Sequence, residues 1–413
     1  MRKSLLLALI VLMAITMVAT FSLAGCKKET AETTAAETTA AATTMAAETT
    51  VAETAAETTA EDMTAIDPKI IEFRQGLDKF RTTNSNFKGP GGQTPTWDTE
   101  LVLTKAEVAK IQESKHTAAL ARHGSQGEYT EALYGGCIDY LKYLGFEITA
   151  DTSAEFDDAK LKSNVETIMA TKPDVIIGFP QNTITAAEIF RPAVDAGIKL
   201  VFVSNLPDKF VHNKDYVGIS TSQPFDQAIF MADAIGKSGA KNVGFIFYNA
   251  DFYIVNLIDK TVEDTLKANY PDVKIVSKEG FADPAKIGEV AAAMLQKNPE
   301  IDIFYTPFSG LPIASACQDA GRKDIKVVTE GLDVPYSVNM LSGGNIYAIV
   351  TDSTYNIGVN MAIMAGYGVL GKEAPDYVIT PSATVTKDNV EEMWNFAFRI
   401  VPLPDEIKNL LNK

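Results

Sequence analysis

Basic charge, cysteine and histidine are all scarce in this sequence. Its 413 residues carry 37 Lys and Arg against 53 Asp and Glu, a formal net charge of −16. Nucleic-acid phosphates and anionic lipid surfaces need a basic face, so this balance argues against both as partners. The three cysteines, Cys26, Cys137 and Cys317, are too few for a disulfide framework, and Cys137 and Cys317 read as buried core residues. The three histidines, His116, His123 and His212, are too scattered to form a metal cluster. Catalytic signatures are missing too. The glycines of "RHGSQGEY" have the wrong spacing for a dinucleotide loop, and there is no P-loop, no GxSxG elbow and no HExxH or CxxC. No enzymatic activity, cofactor or metal is expected.

What is present begins with a cationic Met1–Lys3 and an uninterrupted run from Ser4 to Leu23 rich in Leu, Ile, Val, Met and Ala, the pattern of an export signal. The run ends in Leu23-Ala24-Gly25-Cys26, which resembles the bacterial lipoprotein box. That resemblance implies cleavage after residue 25 and lipidation of Cys26, with the protein held on the extracytoplasmic face of a bacterial membrane. From Glu29 to Asp62 there is no Lys, Arg, Gly, Pro or aromatic residue, and "AAETT" recurs from Ala35, Ala46 and Ala55. Such a stretch cannot bury a core, so residues 26–62 read as a disordered, negatively charged tether. At about 3.3 Å per residue, roughly 34 residues reach on the order of 110 Å when stretched.

Residues 63–114 form a helical and loop extension: "PKIIEFRQGLDKF" has helical spacing, and "KGPGGQTPTWD" is a turn-rich break. From His116 the rhythm changes to short apolar runs alternating with amphipathic helices. Strands are expected at 116–121, 146–151, 174–179 and 199–204, then at 242–248, 273–279, 301–306, 325–330 and 346–352. This is the alternation of an α/β fold with two parallel sheets, Rossmann-like in each half.

"KPDVIIGFPQNTITAAEIFRPAVDAGIKLVFVSN", followed by "YVGIST", "AIGKSGAKNVGFIF", "KVVTEGLD", "GGNIYAIVTDSTYNIGVNMA" and "VTKDNVEEMW", resembles the type I periplasmic binding proteins of sugar ABC transporters. The resemblance implies two lobes joined by a three-segment hinge, with 115–221 and 353–376 in the first lobe and 222–352 and 377–413 in the second. The hinge is expected near Ser220, Ser353 and Asp376. It further implies closure on a small ligand, a monomer, and delivery to a permease with its ATPase.

Ligands of parallel sheets collect outside the carboxyl ends of the strands, so the residues following each strand are the candidates. In the first lobe these are Gln126 and Tyr129, within "RHGSQGEYTE", and Asn205. In the second they are Asn249, Asp251 and Phe252, then Phe308, then Asp333 in "EGLD" beside Glu330, and Asp352. The resembled family often has Asp-Arg where this chain has Asn205-Leu206, a glutamine where it has Asp352, and an arginine that Asn249–Leu257 lacks. Carboxylates and amides suit vicinal hydroxyls, and aromatic faces suit the C–H side of a sugar ring. Two missing arginines disfavour an anionic ligand, leaving a neutral sugar or polyol as the expectation and a nucleoside as the alternative. A receptor feeding a chemoreceptor or sensor kinase would use the same fold. A gene regulator would need a basic DNA-binding head, which the acidic tether replaces.

Overall fold

Near-continuous apolar strands separated by amphipathic helices bury both faces of a sheet, and this chain builds two such sheets. The computed structural model describes residues 63–83, 87–249 and 252–413. The export signal, Cys26, the tether and Asp251 lie outside the described residues. Within them no helix is long and apolar enough to cross a membrane.

The strands, in chain order, are β1 (Pro95–Trp97), β2 (Thr117–Arg122), β3 (Glu147–Ser153), β4 (Val175–Gly178), β5 (Lys199–Val203), β6 (Gly218–Ser222), β7 (Asn242–Tyr248), β8 (Lys274–Phe281), β9 (Ile303–Tyr305), β10 (Lys326–Glu330), β11 (Ile346–Asp352), β12 (Tyr377–Thr380) and β13 (Ser382–Val385). The first sheet has the order β1-β12-β6-β5-β4-β2-β3, with every pairing parallel. The second has the order β13-β11-β10-β9-β7-β8 and is parallel except for β13 against β11. Central β4 is buried at every position, whereas edge strand β3 carries Glu147, Thr149, Asp151 and Thr152 and stays partly exposed. Polar edges of this kind resist pairing with other chains.

Three segments cross between the sheets. β6 leads through Gln223 into helix Pro224–Lys237, which packs on the second sheet. β11 leads back through Ser353 into helix Thr354–Leu370, which packs on the first. β12 passes directly into β13 through Pro381. The crossings are adjacent, since Thr380 pairs with Ser222, Asp352 pairs with Ser382, and the Ser353 N–H donates to the Pro381 carbonyl at 3.2 Å.

This arrangement corrects part of the expected lobe boundaries. Residues 377–380 belong to the first sheet rather than the second lobe, and the third crossing is at Pro381, not Asp376. The reason is that "YVIT" and "SATV" form nearly one continuous extended run, broken only by Pro381, with no helix or loop between the two sheets. The extension also joins the body. β1 pairs with β12, and Ile70, Phe73, Leu77, Leu101, Leu103, Val108 and Ile111 are buried in the core. Arg81 grips buried Asp98 through two bonds of 2.9 Å, and Arg74, also buried, lies 3.5 Å from the same carboxylate and donates to the Leu101 carbonyl and Asn360.

Helix Thr354–Leu370, "TYNIGVNMAIMAGYGVL", is apolar on nearly all sides and buried along almost its whole length, as an all-round hydrophobic helix must be. It crosses helix Glu128–Tyr143 at backbone contact. A β carbon on Gly136 would meet the Tyr355 carbonyl oxygen at 2.1 Å, and one on Gly358 would meet the Leu133 carbonyl oxygen at 1.9 Å. Only glycine permits this approach, which fixes the start of helix Glu128–Tyr143 beside the hinge.

Candidate functional site

At the carboxyl ends of the strands, between the two sheets, lies a cavity of about 290 Å³. Gly127, Glu128 and Tyr129 line it from the helix entrance after β2. Phe308 and Ser309 follow β9, and Glu330, Gly331, Leu332 and Asp333 run from the end of β10 to the next helix. Thr351, Asp352 and Thr354 come from the β11 crossing, and Tyr336 and Phe398 complete the wall. A depression of similar size, about 320 Å³, opens at the opposite edge of the first sheet around Lys199, Asp215 and Lys372. It involves one lobe only and sits where β5 begins, away from the strand ends where loops and helix N-termini supply polar groups.

Each wall has a local cause. Asp333 caps helix Val334–Leu341, its carboxylate accepting the Tyr336 N–H at 2.7 Å, with Pro335 near the helix start favouring entry at that point. Ser309 adopts a left-handed backbone, φ 59°, ahead of helix Gly310–Asp319, a strained conformation of the sort that gathers at binding sites. The Phe308 ring packs edge-on against Tyr248 and Phe281, with centroids 5.1 and 5.2 Å away. Behind Tyr129 stands His123, 6.3 Å between ring centroids, itself packed on Phe179 and in hydrogen-bond contact with the Tyr134 hydroxyl at 3.1 Å. Burial lowers the His123 pKa to about 4, so this ring is neutral at pH 7.

The electrostatics are one-sided. Glu330 is pushed up to about 8, first by burial and then by the Asp352 carboxylate, against the opposing pull of the Gln227 amide donating at 3.0 Å. Burial raises Asp352 to about 6, opposed by the Thr354 hydroxyl donating at 2.6 Å. Asp333 is likewise raised to about 6 by burial, and Glu128, reaching from the other lobe, adds to the rise. The Tyr129 hydroxyl is raised well above its ordinary value by burial and by Asp352 and Glu330. Groups from both lobes therefore sense one another across the cavity.

Of the sequence candidates, the structure brings together Tyr129, Phe308, Asp333 and Asp352. Gln126 is exposed one position before the lining begins. Asn205 is buried, and its amide donates to the Pro180 carbonyl at 2.9 Å, tying the loops after β4 and β5 together. Asn249 is exposed, with its backbone N–H on the Phe281 carbonyl at 2.7 Å, and Phe252 packs on the core beside β7; none of these four lines the cavity. Tyr336 and Phe398 escaped sequence reasoning. The former has a signal, three residues past a capping Asp, whereas Phe398 is the last residue of a helix, Val390–Phe398, and the strand-end rule does not reach it.

The family described as "Periplasmic binding protein domain" matches residues 118–373. A comparison with curated protein sequences gives no match. Among solved structures, an arabinose-binding protein from Geobacillus stearothermophilus aligns with a TM-score of 0.61 at 17% identity, covering 68% of this chain and 99% of that one. A solute-binding protein from Agrobacterium vitis, bound to α-D-tagatopyranose, aligns at 0.60 and 19% identity over 70% and 100% of the two chains. A third, from Bacillus halodurans with myo-inositol, aligns at 0.59 and 16% identity over 68% and 98%. At these identities the likeness is one of fold, and it covers nearly all of each solved chain. With its family match spanning more than half the residues, this chain belongs to the periplasmic binding protein domain family and has the type I, two-lobed α/β fold.

Proposed function

We propose that this protein is a solute receptor on the extracytoplasmic face of a bacterial membrane, anchored through lipid on Cys26, which encloses a small sugar or polyol and delivers it to an ABC importer permease with its ATPase. The observation that carries this reading is the cavity itself: both lobes line it, and Asp352, one of its walls, is the last residue before a hinge crossing. Ligand biases closure only through contacts made in the closed state and absent in the open one. A ligand touching Tyr129 on one side and Asp333 and Phe308 on the other meets that condition. The arabinose-binding protein and the structures bound to tagatopyranose and myo-inositol, which share this fold, support the ligand class.

The cavity's volume lies at the small end of the range for small-molecule sites, which suits a single ring or a short polyol. The experiment is a thermal-shift panel of pentoses, hexoses, polyols and nucleosides on the purified full chain. A ligand at about a thousand times its dissociation constant adds roughly 4 kcal/mol to stability, a rise of several degrees or more. A shift with a sugar or polyol upholds the reading. A shift with nucleosides alone replaces the ligand class, Tyr129 and Phe308 then flanking a base from opposite lobes.

A further inference from the structure

We infer that the solute held in this cleft carries a positive charge, so that the sugar or polyol proposed above bears an amine. The inference relies on that proposal for the carbon skeleton but not for the charge. Four carboxylates line the cavity, Glu128 from the first lobe and Glu330, Asp333 and Asp352 from the second, while no Lys, Arg or His does.

The remaining charged and titratable neighbours do not balance them. Tyr129 and Tyr336 are phenols held protonated by burial. His123, behind Tyr129, is neutral. Arg122, on the strand leading to this wall, is paired with Asp151. Gln227, Thr354 and the Tyr336 N–H each give one hydrogen bond to a second-lobe carboxylate, and all three are uncharged donors.

The charge is also distributed in a way that excludes a bare metal ion. Among the described residues no three carboxylate, histidine or cysteine groups stand close enough together to hold one. The carboxylates instead surround a volume of about 290 Å³ that has the rings of Tyr129 and Phe308 in its walls. An ammonium on an organic skeleton fits such a space, with carboxylates for the charge and aromatic faces for the cation or its adjacent C–H groups. The two lobes, moreover, carry like charge toward one another. Glu128 opposes Asp333 across the gap, and their repulsion works against closure of the empty receptor. A bound ammonium converts that repulsion into attraction from both sides, which makes ligand charge itself a closing force.

Calorimetric titration of the full chain tests this with matched pairs: glucose and glucosamine, galactose and galactosamine, sorbitol and 1-amino-1-deoxysorbitol, together with choline and putrescine. The expected result is an amine-bearing member binding at least about tenfold tighter than its neutral partner, with the preference lost in Glu330→Gln and in Asp333→Asn. For 1-amino-1-deoxysorbitol, whose amine stays protonated over this range, affinity should also rise from about pH 6 to about pH 8 as the raised carboxylates ionise. Circular dichroism of both variants separates lost recognition from lost folding. A neutral sugar that binds as tightly as its amine overturns the charge inference and leaves the sugar reading intact. Binding of choline or putrescine alone upholds the charge and overturns the sugar. Binding of none overturns both.

Discussion

Gly358 lies so close to the Leu133 carbonyl that a β carbon there would sit 1.9 Å from the oxygen. The contact is backbone to backbone, so no side chain can swing aside to relieve it. Gly358→Ala therefore separates helices Glu128–Tyr143 and Thr354–Leu370 and should cost at least about 1–3 kcal/mol, read as a lower midpoint in urea unfolding. Because the first of these helices begins at Glu128 and Tyr129, ligand affinity should fall as well. An alanine variant as stable as the parent would contradict the packing described.

The extension is part of the folded body, since β1 pairs with β12 and Arg74, which with Arg81 answers buried Asp98, also donates to Asn360 of helix Thr354–Leu370. Removing one partner of a buried pair leaves charge unmatched, so Asp98→Ala should destabilise the chain by about 3–5 kcal/mol. If instead the loss is below about 1 kcal/mol, as for surface pairs, the extension is an appendage.

The cavity carboxylates set a pH dependence whose sign is fixed by their burial. Glu330 is raised to about 8, well above its unfolded value of about 4.3, so the ligand-free folded chain holds a proton there that the unfolded chain has lost. Its favourable contribution is whole below about pH 4 and is lost as pH rises toward 8. The stability difference between wild type and Glu330→Gln should therefore shift in favour of the variant across that window. Unfolding curves at several pH values check this, and a difference independent of pH contradicts it.

Cys137 and Cys317 are both free and buried, and burial raises both thiols, Cys317 to about 12. Neither should react with a thiol reagent in the native chain, and both should react in denaturant. Rapid native labelling of either would place it nearer the surface than described.

Strands β7 and β11 were legible to the residue, because "NVGFIFY" and "IYAIVTD" are apolar runs bounded by turn residues. β6, β12 and β13 were not. "GISTS", "YVIT" and "SATV" are rich in hydroxyl residues, and their burial follows from the crossings, where the Ser220 hydroxyl donates to the Ile357 carbonyl at 3.0 Å and Thr380 to that of Thr221 at 3.3 Å. Those partners are more than a hundred residues away, so no local pattern reports them. The same limit applies to the site. The strand-end rule names Tyr129, Phe308, Asp333 and Asp352, which line the cavity, but it names Asn205 as well, whose amide is committed to the Pro180 carbonyl. Asn205→Ala should accordingly lower stability by about 1 kcal/mol while leaving ligand affinity little changed.

Ligand is expected to draw the two lobes together about Gln223, Ser353 and Pro381. Fluorescence energy transfer measures this directly, with dyes on cysteines introduced at exposed Lys162 in the first lobe and Lys297 in the second, the two native core thiols staying unlabelled. A stabilising sugar or polyol should change the transfer efficiency saturably, and Asp333→Ala should weaken both the change and the binding. A ligand that binds tightly with no change in transfer, or equally well to Asp333→Ala, would contradict this closure.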